Sequence, residues 1–363
     1  MSEAGAHAGV PARPLVVRCG AFGDMVLITA LLRVLHAQFG MPVDVLTSGP
    51  WSAPLLRGQP GVGEVMSVRS RRTPYWLAPD QRRAVRWLRE RGAGPTWFCD
   101  ANEAARPMLE RAHLPARWRV EVREHPREPN EHATEQWRRL GLIWPAALAD
   151  IPAAVRARAR AAAQAVAPGC LIAVSTTQRA ELAAWLAARG LDASPLICIQ
   201  AGNKRTMRRG LKRLAVNHKY WPEERWSQVL RHVRSVYPGH AIVLLGTPSE
   251  QRLNRELMAR ARIERCHDLA DDLPIPRLLA LLERAAALIS VDSGPAHAAA
   301  AVGCPEVVLF GKASPSLYRP LGTAGADVKV LTGQIEGAPS MLGISAEQVS
   351  AAFDELRLRT GPL

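Results

Sequence analysis

Three stretches of this chain carry residues able to do chemistry. In "CGAFGD" (19–24), Gly20 and Gly23 frame a sharp turn and Asp24 stands where an apolar helix begins. A carboxylate there has two readings. It is a helix cap, since Asp is among the preferred capping residues, or it is a general base, which the helix dipole tends to keep ionised. In the second stretch, Gly202 and Asn203 directly follow the apolar run "LICIQA", and Lys219 precedes "YWPEERW", where Pro222 suits a first helical turn. A lysine so placed can neutralise a pyrophosphate, or it is a solvated surface lysine.

The third stretch is "VDSGPAHAAAAVGCP" (291–305). Asp292 ends an apolar strand, Ser293 and Gly294 make the turn, and Pro295 has its φ already set for a first helical turn. The alanines that follow have no side chain beyond Cβ, so the helix can press its backbone against a sheet. Its N-terminus then offers free N–H groups and partial positive charge to a phosphate. His297, alone, reads as a core histidine; beside Asp292, Ser293 and Gly294 it reads as part of that anion site.

Such residues need a scaffold that presents strand ends. The first half alternates short apolar runs, "PLVVRCG" (14–20), "PVDVLTSG" (42–49), "VGEVMSV" (62–68) and "TWFCDA" (96–101), with the helical patterns 24–40 and 78–92. Residues 103–150 read as loops and helices. A second series holds the strands 196–202, 241–246, 287–292, 306–311 and 327–333. Alternation of this kind implies open parallel sheets. The expected fold class is α/β, two Rossmann-like domains facing across a cleft, with ligands at the carboxyl ends of the strands. The expected boundaries are 1–170 for an N-terminal domain, 171–195 for a linker and 196–344 for a C-terminal domain. Residues 345–363 hold an amphipathic helix expected to pack back on the N-terminal domain.

Composition narrows the function. The 363 residues carry a net charge of +14, which favours anionic partners: nucleic acid, a phospholipid surface or phosphorylated substrates. Six of the ten residues 204–213 are basic, yet they do not interleave with aromatic stacking residues, so no nucleic-acid partner is expected. No G-x-G-x-x-G follows the first strand, which removes the main support for a dehydrogenase. The six cysteines have no C-x-x-C or zinc-site spacing and read as buried thiols; no metal site is expected. The first residues lack a signal-peptide core, and no apolar run reads as a bilayer span. The expected location is cytoplasmic, with peripheral contact at the inner face of the membrane.

Three blocks, "GDMVLITALLRVL", "KYWPEERW" and "VDSGPAHAAAAVGCPEVVLFGKASPSLYRPLG", follow in order over most of the chain. Together they resemble the lipopolysaccharide heptosyltransferases, glycosyltransferase family 9, of GT-B fold. The resemblance implies an inverting transfer of a sugar, typically from ADP-heptose, to a glycolipid or other glycan, with no metal or other cofactor required. It makes Asp24 the catalytic base and Gly20 and Gly23 its acceptor or closure loop. It assigns Gly202, Asn203, Lys219, Asp292, Ser293, Gly294 and His297 to the donor, and Glu250 to the donor nucleoside. The chain departs from the family where 204–218 separate the Gly202 turn from Lys219, where the turn carries Asn203 in place of threonines, and at Ala30, where proline is frequent. The rival functions are a nucleotide-sugar epimerase or hydrolase of the same architecture and a basic nucleic-acid binder.

Overall fold

The structure, a computed structural model, describes residues 12–100, 103–203 and 217–359. It divides into two compact units. The first holds residues up to Gly20, Leu31–Pro126 and Trp137–Val166; the second holds Ala21–Ala30, Arg127–Gln136 and the chain from Ala167 onward.

The first unit is built on a parallel sheet of β1 (Leu15–Val17), β2 (Val43–Ser48), β3 (Val62–Val68), β4 (Thr96–Phe98) and β5 (Arg119–Glu121), in the order β3-β2-β1-β4-β5. β1, β2 and β4 are buried throughout, as continuous apolar runs of a covered parallel sheet should be. β5 lies in the 103–150 region read from sequence as loops and helices. Three residues with charges at both ends give too short a pattern to declare a strand. Trp97 is fully buried and donates its indole N–H to Leu140 O at 2.9 Å.

The second unit is built on a parallel sheet of β6 (Leu196–Gln200), β7 (Ala241–Leu244), β8 (Cys266–Asp268), β9 (Ala287–Val291), β10 (Glu306–Phe310) and β11 (Val328–Thr332), in the order β11-β10-β9-β6-β7-β8. The chain runs outward from β6 to β8, then returns to β9 on the other side of β6. The order therefore reverses between β6 and β9, and the carboxyl ends flanking such a reversal are where open α/β sheets bind ligands. Gly202–Asn203 and Asp292–His297 are the segments that leave those two ends. β8, another three-residue strand, was not legible from the sequence.

Helix Glu223–Val236 buries Trp226, Val229, Leu230 and Val233 in the core of this sheet. Helix Ala346–Asp354, expected on the N-terminal domain, buries Val349, Ala352 and Phe353 in that same core, and the Phe353 ring meets Tyr237 at 5.6 Å. Its apolar stripe was readable; the surface it covers is set by the fold. The expected linker 171–195 also belongs to this unit. Its helix Thr176–Ala187 starts at a Ser175–Gln178 capping box, buries Leu182, Trp185 and Leu186, and Arg179 pairs with Glu283 at 2.8 Å.

The helical pattern expected over 24–40 is two helices, Phe22–Leu27 and Thr29–Phe39, separated at Ile28. By length and composition Phe22–Phe39 would suffice to cross a membrane, contrary to the sequence reading, but most of it is buried within the protein. All six cysteines are buried free thiols, as expected.

Candidate functional site

Asp24 occupies the third position of helix Phe22–Leu27 rather than the cap. Its carboxylate accepts the Ala21 N–H at 2.9 Å. This reach back to the residue before the helix satisfies one of the helix's orphan donors, and it fixes the side chain at the helix start. The helix is counted with the second unit although β1, which precedes it, belongs to the first.

That assignment has a cause in the glycines. A Cβ on Gly23 would lie 3.0 Å from His297 Cδ2 and 3.4 Å from Gly294 Cα, and a Cβ on Gly294 would collide with the Phe22 ring. The two helix starts, Phe22–Leu27 and Gly294–Ala301, thus meet backbone to backbone; a side chain on Gly294 would force them apart, and one on Gly23 would press on the His297 ring. Gly20 stays with the first unit, where its carbonyl accepts the Trp51 indole N–H at 3.0 Å.

The helix Gly294–Ala301 buries Ala296 and Ala298 to Ala301 completely. Ser293 stands at its cap with extended backbone, yet its side chain does not cap the helix; the Ser293 hydroxyl pairs with the Ser290 hydroxyl at 2.9 Å instead. The partial positive charge of this N-terminus is thus not neutralised by its own cap.

Asp292, nearly fully buried, receives Lys219 Nζ at 2.7 Å. The Lys219 loop is held from below. Asn217 is buried, accepts the Lys219 backbone N–H at 3.2 Å, and accepts from Asn203 Nδ2 at 3.2 Å. Asn203 also donates to Lys219 O at 3.3 Å. The turn after β6 therefore positions the lysine that grips the end of β9. A Cβ on Gly311, just after β10, would collide with His218 O, so this loop also needs glycine beneath it.

Glu250 lies under the same turn. It accepts from Thr247 N and Thr247 Oγ1, both at 2.9 Å, and a Cβ on Gly202 would collide with its carboxylate. Gln200 Nε2 donates to Gly202 O at 2.9 Å and approaches Glu250 Oε1 at 3.4 Å. Burial raises the Glu250 pKa above the ordinary carboxylate range, against the pull of these hydrogen bonds.

His297 is buried on the first turn of the alanine helix, and its Nδ1 is enclosed without a hydrogen-bond partner among the described residues. Burial pushes its pKa down to about 4. Asp292 and Asp24 oppose that shift, and Lys219 and His132 reinforce it. The ring is neutral at pH 7, and its charge state is coupled to Asp24, to the Lys219–Asp292 pair and to His132. His132 sits on a segment counted with the second unit and bonds Thr134 Oγ1 at 2.8 Å through Nδ1 and Arg319 O at 2.9 Å through Nε2.

The structure thus joins Gly23 and Gly294 to His297, Lys219 to Asp292, Asn203 to the Lys219 loop, and Gly202 to Glu250. Gln200, Asn217 and His132 were not singled out from sequence. Each is a single polar letter, and Gln200 alone carried a signal, as the polar residue that closes an apolar strand. The basic run 204–213 lies outside the described residues. Among the described residues, no three His, Cys, Asp or Glu side chains gather as metal ligands.

Arranged so, a carboxylate beside an uncapped helix start and a half-exposed lysine held by a buried aspartate would suit displacement of a phosphorylated leaving group. Residues 211–339 match glycosyltransferase family 9 (heptosyltransferase). The lipopolysaccharide heptosyltransferase 2 of Salmonella typhimurium is 23% identical over 337 residues, 88% of each chain. The solved ADP-heptose lipopolysaccharide heptosyltransferase II of E. coli superposes with a TM-score of 0.70 at 20% identity, covering 94% of this chain and 97% of that one. A family 9 glycosyltransferase from Veillonella parvula gives a TM-score of 0.73 at 19% identity over 95% and 97% of the two chains.

Proposed function

From the premise that the chain is a heptosyltransferase-like glycosyltransferase of family 9, we propose that it transfers a heptose from ADP-heptose to a lipopolysaccharide-core or related cell-surface glycan, with inversion. The observation that carries this reading is the seating of the Asp24 helix on the start of the alanine helix, with Lys219 and Asp292 beside it in the same unit. The relatives named above supply the donor and the acceptor class.

The step is one displacement. The acceptor hydroxyl oxygen attacks the anomeric carbon, the bond from that carbon to the diphosphate oxygen breaks, and the hydroxyl proton passes to the Asp24 carboxylate. The nucleoside diphosphate departs with the bonding electrons. Its growing charge meets Lys219 and the uncapped N-terminus of helix Gly294–Ala301, charges already in place before the reaction begins. Asp292 holds the lysine in position, and neutral His297 supports the Gly23 turn that carries Asp24. Glu250, under Gly202, is assigned to the nucleoside. We place the acceptor on the first unit and the chain in the cytoplasm. The reaction as written needs no metal, so dialysis against a chelator should leave the rate unchanged.

The test is product analysis with ADP-heptose, with and without a heptose-deficient lipopolysaccharide. Heptose appearing on the lipid only when both are present supports the transferase reading. Free heptose or an isomerised donor formed equally without acceptor would replace it with a hydrolase or epimerase.

A further inference from the structure

The first unit carries a surface that the transfer chemistry does not use. The short helix Tyr75–Leu77 projects Trp76 and Leu77, which are 73% and 55% exposed. Pro74 and Pro79 flank them and are also exposed. Large apolar side chains this open to water are a cost to a free-standing protein, and two adjacent ones at one tip ask for a partner.

The tip is tied down by hydrogen bonds. Arg82 donates to Trp76 O at 2.6 Å and to Tyr75 O at 3.3 Å, and Gln81 Nε2 donates to Ser70 O at 2.8 Å and Thr73 O at 2.9 Å. The Arg111 guanidinium stacks on the Tyr75 ring at 4.7 Å. These bonds hold the loop on the start of helix Pro79–Arg91, whose inner face buries Ala84, Val85 and Leu88.

The surroundings are strongly positive. Arg69, Arg72, Arg82, Arg83 and Arg86 are exposed around the tip. The one carboxylate within 69–86, Asp80, is buried and turned inward onto the Arg69 N–H at 2.5 Å and the Gln81 N–H at 3.0 Å. Arg71 is engaged by Asp100 at 2.8 Å and is not part of the outward patch. An apolar tip ringed by arginines complements one environment in particular: a bilayer interface with anionic headgroups. Tryptophan settles at headgroup level, leucine enters the acyl boundary, and arginines meet the phosphates. A nucleic acid would satisfy the arginines and could stack on Trp76, but it offers nothing to Leu77 and the flanking prolines.

We propose that the Trp76–Leu77 tip and its arginine ring dock the protein on an anionic phospholipid surface. This deepens the transferase reading, whose acceptor is a glycolipid, by naming the face that meets the membrane. The assay below contains no sugar donor, so its outcome stands apart from that of the transferase test.

The experiment is co-sedimentation of the full chain with phosphatidylcholine vesicles, with and without phosphatidylglycerol. The chain should bind only the anionic vesicles, and less as salt is raised, because surface charges are screened. Arg72→Gln, Arg83→Gln and Arg86→Gln should each weaken binding by about fivefold. Trp76→Ala combined with Leu77→Ala should cut it by about tenfold or more, with an unchanged thermal midpoint, since both side chains are mostly in water. Three outcomes would overturn the proposal: no binding to anionic vesicles, binding that the Trp76→Ala/Leu77→Ala variant retains in full, or tight Trp76-dependent binding to single-stranded RNA without vesicle binding.

Discussion

Lys219 Nζ lies 2.7 Å from Asp292 Oδ2, linking the loop ahead of helix Glu223–Val236 to the carboxyl end of β9. Asp292 is nearly fully buried, whereas Lys219 is about two-fifths exposed. The aspartate therefore serves as a fixed anchor, and the lysine can turn part of its charge toward an incoming anion.

Removing that charge should weaken donor binding first. Lys219→Ala is expected to lower affinity for ADP-heptose by about 10- to 100-fold, the worth of one charge-assisted hydrogen bond to phosphate. Calorimetric titration measures this directly. Unchanged affinity would take Lys219 out of the diphosphate site.

Gly294→Ala should damage the site by geometry alone. The new Cβ would press on the Phe22 ring, forcing apart the two helix starts. Overpacking of this kind costs about 1–3 kcal/mol, so the thermal midpoint should fall. The transfer rate should fall further than the residual folded fraction explains, because Asp24 moves with its helix. Wild-type rate in Gly294→Ala would show that this contact does not position Asp24.

His297 should make the protein sensitive to acid. Its pKa is near 6.5 when unfolded and about 4 when folded. The folded state excludes the proton that the unfolded state accepts. Its contribution is thus intact above about pH 6.5 and is lost as pH falls toward 4, on the order of 3 kcal/mol in all. Denaturant unfolding of wild type and His297→Gln at several pH values should show the variant losing less stability over that window. Parallel losses would mean the ring is not held neutral.

Glu306 should do the reverse. It opens β10 with no exposed surface, neither carboxylate oxygen has a hydrogen-bond partner among the described residues, and burial raises its pKa well above the ordinary range. The folded state keeps a proton that the unfolded state gives up above about pH 4.3. Stability should therefore fall as pH rises, by about 1.4 kcal/mol per unit, until the folded group itself ionises. Glu306→Gln should remove that slope and be the more stable protein at pH 9 in thermal unfolding. A variant less stable than wild type at that pH would show that the carboxylate is paired.

What could be read in the sequence was what is local in it. Asp292, Ser293, Gly294 and His297 are neighbours in the chain, and a strand ending in that cluster before an alanine helix has the local pattern expected of an anion site. That Lys219 closes on Asp292 could not be read, because the loop and the strand end are joined only through the sheet. The same holds for Asn217 and Gln200, polar letters whose meaning is burial under a turn. The break at Ile28 was hidden because apolar letters continue through it. β5 and β8 are too short for a period-two pattern. The stripe Val349, Ala352 and Phe353 was visible, but its partner surface was not. The placing of Asp24's helix with the second unit follows from a glycine-to-glycine contact that no spacing rule encodes.

The central claim is that Asp24 takes the proton of the acceptor hydroxyl. Asp24→Asn keeps the shape, and its side-chain carbonyl can still accept the Ala21 N–H, but it cannot accept that proton. The decisive measurement is the transfer rate of Asp24→Asn beside its affinity for ADP-heptose. The account predicts a rate reduced by about 100-fold or more, the usual worth of a general base, with donor affinity near wild type. A variant that keeps most of its rate would contradict it.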